Sequence, residues 1–101
     1  MATTTKALFR GAATTTVGTT LYTVPALTTT VVTNIAVTNT ATSAGTFTIA
    51  LAGTALHTTA AIAANSTAYI DLKQVLATTQ TITGGASATS INFHISGIEV
   101  S

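Results

Sequence analysis

The amino-acid sequence predicts an all-β fold, a single antiparallel β-sandwich of jelly-roll type. Apolar and polar residues alternate with a period of two in several strand-length runs. Turn residues interrupt those runs about every 8 to 12 positions, which defines seven or eight short strands. Helical spacing is confined to one place, Asp71 followed by Leu72, Val75 and Leu76, and predicts at most one short helical turn near 71–77. An immunoglobulin-like sandwich is the alternative topology. With 101 residues the chain forms one domain, large enough to bury roughly 60 to 65% of its unfolded surface.

Residues 1–20 read as an N-terminal strand or arm and a loop, and residues 21–101 as the sandwich. From Thr3 to Ala13 a weak alternation sets Lys6, Leu8 and Arg10 on one parity and Phe9 on the other, so two cations share a strip. Such a strip suits an arm on a neighbouring subunit or an ordinary edge strand. Leu21 to Val24 form a short strand, and Pro25, which cannot donate to a ladder, marks the corner into the central strand. There Val31, Ile35 and Val37 are expected to face inward. The loop 40–45 leads to an alternating run with Phe47, Ile49 and Leu51 inward, and the two strands are expected to form a hairpin.

Gly53-Thr54 is a tight turn into a strand with Leu56 inward and His57 outward. After Asn65-Ser66-Thr67, Ile70 and Leu72 face inward, Tyr69 and Asp71 outward. Thr79 to Thr83 form a short strand around Ile82, ended by Gly84-Gly85. In the last strand Ile91, Phe93 and Ile95 are odd-numbered, whereas Ile98 and Val100 are even-numbered. That change predicts a bulge at Ser96-Gly97, with glycine at a positive φ and with Asn92, His94, Ser96 and Glu99 outward.

Composition excludes several functions. Only Lys6, Arg10, Lys73, Asp71 and Glu99 carry formal charge, 5% of residues against about 25% in an ordinary soluble domain. The net charge of +1 attracts neither nucleic acid nor an anionic membrane. Surface charge normally guards against association and edge pairing, so much of this surface is expected to be covered by other chains. There is no cysteine for a disulfide or thiolate metal site. The start lacks the apolar run of a signal peptide, which predicts synthesis in the cytoplasm.

No catalytic constellation is visible, because Asp71 and Glu99 are the only side-chain carboxylates and His57 and His94 lie 37 residues apart. Nothing in their spacing resembles a chelating motif, so no metal or other cofactor is expected. The Thr-x-Thr pairs at Thr14, Thr28, Thr38, Thr46 and Thr81 start at no common interval, unlike the ladder of a Thr-rich solenoid. The residues expected at an interface are Lys6, Phe9, Arg10, Tyr22, Tyr69, Asn92 and His94.

The phrases Leu-Tyr-Thr-Val-Pro, Val-Val-Thr-Asn-Ile-Ala-Val-Thr-Asn, Ile-Ala-Ala-Asn-Ser-Thr and Ile-Asn-Phe-His-Ile-Ser-Gly-Ile-Glu-Val resemble those of small all-β structural proteins of tailed bacteriophages. The resemblance spans most of Leu21 to Ser101 and assigns no functional residue. It implies a non-enzymatic virion component, a capsid decoration (cement) protein or a small tail protein. Its expected partners are other copies of itself, as a homotrimer, and virion proteins such as the major capsid protein. The alternative is a tail- or fibre-associated module binding a host surface glycan, for which Tyr22 and Tyr69 are the candidate stacking residues.

Overall fold

The computed structural model describes residues 3–101 and contains eight strands and no helix among them. They are β1 (Thr3–Ala12), β2 (Thr20–Thr23), β3 (Thr29–Asn39), β4 (Gly45–Leu51), β5 (Thr54–Ile62), β6 (Ser66–Leu76), β7 (Thr81–Ala86) and β8 (Ile91–Val100). Sheet A has the order β1-β8-β3-β6 and sheet B the order β2-β7-β4-β5, every pairing antiparallel. The pairs β1/β8, β2/β7, β3/β6 and β4/β5 are nested like the arms of one long hairpin. Rolling that hairpin up makes the β8/β3 and β7/β4 pairings and gives the jelly-roll arrangement.

The core lies between the two sheets. Ile35, Val37, Ile91, Phe93 and Ile95 of sheet A meet Phe47, Ile49 and Ile82 of sheet B. Phe47 and Phe93 stack edge-on across the gap, centroids 6.4 Å apart at 71°. Ile70 and Leu72 are half-buried and pack against this core, as their alternation predicts.

The structure corrects several expectations. The segment 71–77 contains no helical turn, because β6 continues to Leu76, paired with β3 through Val75 and Leu76. The strands before and after the loop 40–44 are not a hairpin. β3 is already flanked by β8 and β6, so the chain crosses to sheet B, and the true hairpin is β4/β5. Its turn places Ala52 and Gly53 at φ 51° and 78°, the two positive values of a type I′ turn. Gly84 and Gly85 lie inside β7, where a side chain would strike the Thr48 carbonyl and the Thr16-Val17 backbone. Of the two readings of the first strand, the edge strand is the one the sheet order matches, β1 being the outer strand of the chain's own sheet A.

The expected bulge is displaced to the neighbours of β8. Gly97 does not have a positive φ, and the β8 register runs unbroken from Ser96 to Gly97. Instead, an extra residue sits in each flanking strand, Leu8 in β1 and Thr33 in β3. A side chain at Gly97 would collide with the Val31 carbonyl and Leu8, so close approach is what requires glycine there. The Thr33 bulge also overturns the inward assignment of Val31. Thr30 and Val32 face the core before the bulge, Ile35 and Val37 after it, and Val31 is half-exposed on the outer face.

Candidate functional site

The register places the candidate residues of sheet A in rows, because residues paired directly across strands share a face. One outer row is Arg10, His94, Ala36 and Tyr69, and the next is Ala12, Asn92, Thr38 and Thr67. Toward the other end run Ala7, Ser96, Asn34 and Asp71, and beyond the bulge Thr5, Ile98, Val31 and Val75. Asn34 donates to the Asp71 carboxylate at 3.4 Å. Tyr69 and Val75 are 74% and 66% exposed, an unusual state for side chains of that size. Two shallow depressions of about 560 and 450 Å³ meet at Thr33 on this face, one bordered by Asp71 and Lys73, the other by Lys6 and Arg10.

Arg10, Tyr69, Asn92 and His94 are thus brought together on one surface, whereas Lys6, Phe9 and Tyr22 depart from the expectation. The bulge at Leu8 separates Lys6 from Arg10, pairing Lys6 with inward Gly97 and Arg10 with outward His94. Phe9 pairs with Ile95 and packs against the core. Tyr22 is buried and cannot stack on a sugar. His57, expected outward, lies against the Phe47 ring, 5.6 Å between centroids, because two register shifts in β4/β5 turn it.

Glu99 is the other reversal. With no bulge in β8 it continues the inner parity, beside Thr4 and Thr30. The Tyr22 hydroxyl donates to the Glu99 carboxylate and meets the Thr30 hydroxyl at 2.9 Å, while Lys6 Nζ lies 3.4 Å from the same carboxylate. The cluster joins β2 of sheet B to β3 and β8 of sheet A, and fastens one end of the sandwich. Burial, and then the Glu99 carboxylate that accepts its hydrogen bond, push the Tyr22 phenol above its ordinary value. A group whose folded value is raised stabilises fully below its unfolded value, here about 10, and loses that contribution as pH rises through the folded value. Tyr22→Phe is therefore expected to cost about 1 to 2 kcal/mol at neutral pH and to flatten the loss of stability above pH ~10. Denaturant melts from neutral to alkaline pH check this, with exposed Tyr69→Phe as control. An unchanged alkaline slope in Tyr22→Phe would reject the assignment.

The free edges of the sheets are defended although the chain has few charges. Four of its five formal charges lie on the outer strands of sheet A, Lys6 and Arg10 on β1, Asp71 and Lys73 on β6. In sheet B the outer strand β2 has only four residues, and β5 is broken by two register shifts and by Thr59 at φ 48°.

Among the described residues no group of three His, Asp or Glu side chains comes together to hold a metal. Among the described residues no helix is long and apolar enough to cross a membrane. Neither a protein-family model nor a curated protein matches the chain.

Proposed function

We propose that this chain is a non-enzymatic structural protein of a tailed-phage virion. It decorates or stabilises the capsid through contacts between its own copies and with the major capsid protein. The observation that carries this reading is the outer face of sheet A, on which exposed Tyr69 shares a row with Arg10 and His94, and exposed Val75 shares another with half-buried Ile98 and Val31. Large exposed apolar side chains grouped on one face mark interaction surfaces. The resemblance of the strand phrases to small phage structural proteins supplies the setting. Cosedimentation with purified phage heads tests it. Tyr69→Ala and His94→Ala should fold as the wild type and lose binding to the particle. Undiminished binding by both would remove sheet A from the contact, and no binding by the wild type would remove the virion role.

A second reading, a tail- or fibre-associated module for a host glycan, is favoured by exposed Tyr69 beside the hydrogen-bonded Asn34-Asp71 pair. An aromatic ring and planar polar groups are what a sugar ring uses. With Tyr22 buried, a single aromatic carries it, and saturation-transfer NMR with host-surface glycans would show contact at Tyr69.

A further inference from the structure

We infer that the outer face of sheet A pairs with the same face of a second copy, about a two-fold axis parallel to the strands. The inference rests on the self-association in the proposed function and gives it a two-fold pair in place of the expected trimer; this face then belongs to the contact between copies, and particle binding in the cosedimentation test reports the assembled pair.

The face is asymmetric along the strands. One end carries Ile98, Val31 and Val75 in a row with Thr5, and Val100 next to it between Thr3 and Thr29, while the other carries Asn92, Thr38 and Thr67 in a row with Ala12. It is asymmetric across the strands as well. β1 contributes the cation Arg10, and β6 contributes Tyr69 and the anion Asp71, with Lys73 farther along the strand toward the apolar end.

Only one self-pairing of the two simple choices matches both asymmetries. A two-fold axis across the strands would lay the apolar end of one copy on the polar end of the other. A two-fold axis along the strands, between β8 and β3, keeps each row level with itself and exchanges its ends. Arg10 then faces the partner's Tyr69 with the partner's Asp71 in the adjoining row, a cation over an aromatic ring beside an opposite charge. His94 comes over the partner's Ala36, the bulky ring opposite the smallest side chain of the row, and Ile98 comes over the partner's Val31. Each of these contacts occurs twice, as an isologous interface requires. Two stacked sheets also prefer strands aligned to within about 30°, which this axis provides.

Size decides how much of the face is needed. Four strands spaced ~4.8 Å apart and ten residues long cover roughly 600 Å² in projection. A stable interface uses about 800 Å² of accessible surface from each partner, more than one border of the sheet can supply. Side chains standing off the sheet make its accessible area larger than its projection, so only the whole face approaches that size, and the two-fold along the strands brings all of it into contact.

Sedimentation equilibrium on the full chain, over micromolar to millimolar concentrations, tests the pairing. The wild type should dimerise. Arg10→Asp or Asp71→Arg alone sets like charges against each other at two symmetric places and should weaken the dimer about tenfold or more. The double variant Arg10→Asp/Asp71→Arg restores opposite charges and should recover most of the affinity. Circular dichroism melts confirm that each variant is folded. A trimer, or a dimer that ignores the reversals or is not rescued, would overturn this geometry and leave self-association standing. A monomer throughout would overturn it too, and head cosedimentation then decides the virion role separately.

Discussion

Replacing Phe93 with alanine is expected to lower the unfolding free energy by about 3 to 5 kcal/mol, a large part of the roughly 5 to 15 kcal/mol that a domain commands. Phe93 is fully buried as the third residue of β8, flanked by Gly11 of β1 and Val37 of β3, with its ring against Phe47 of the opposite sheet. Truncation leaves a void in rigid surroundings, since neither paired strands nor the facing sheet can move in to fill it. Phe93→Leu keeps most of the volume and should cost much less. Urea denaturation compares them, with His94→Ala as the outward control. Were His94→Ala to unfold the protein and Phe93→Ala not, the two faces of β8 would have to be exchanged.

Asn39→Asp should cost about 3 kcal/mol or more at neutral pH, and less in acid. The Asn39 side chain is buried where β3 leaves sheet A. Its amide nitrogen donates to the carbonyls of Ser43 at 2.9 Å and Ala63 at 3.3 Å, and its oxygen accepts from the Ala41 N–H at 3.0 Å. One side chain therefore ties the 40–44 loop to the β5/β6 turn. A carboxylate in its place turns an acceptor toward carbonyl oxygens and buries a charge, which raises the folded pKa of the new acid. Its protonated form is tolerated, so stability is retained below the unfolded value of about 3.9 and falls as pH rises through the folded one. Melts of Asn39→Asp and Asn39→Ala from acid to neutral pH separate charge from lost hydrogen bonds. The alanine variant should show no such slope.

The sequence made the all-β sandwich legible, and it made β4 and the first half of β8 legible residue by residue. In those strands large apolar side chains alternate without interruption. The reading failed where contrast was absent. Val31 and Val32 are alike, so the flip at Thr33 leaves no mark in the pattern, and the parity of Ile35 and Val37 carries back to the wrong valine. β5 and β7 consist largely of alanine, threonine and glycine, which label neither face. Gly97 does not have the positive φ expected of it; what requires glycine there is the facing carbonyl of Val31, on another strand. Tyr22 and Glu99 are 77 positions apart, and no local pattern announces their hydrogen bond. The outer residues Arg10, Tyr69, Asn92 and His94 were legible as polar or amphipathic positions on strands. Their assembly on one face depends on strand order, which period-two alternation does not encode.

The nested order of strands sets the timetable of folding. Thr3 pairs with Val100, and β8 supplies one neighbour to β1 and another to β3. Sheet A thus cannot close on the ribosome until residues 91–100 have emerged, and β1 must wait unpaired while residues 13–90 are made. Folds dominated by such distant pairings form in roughly milliseconds to seconds, slowly for a domain of this size. During that interval a chain with five formal charges has little electrostatic repulsion to keep its copies apart. High-level expression at elevated temperature should fill inclusion bodies with this protein, and slower synthesis in the cold should yield more of it folded.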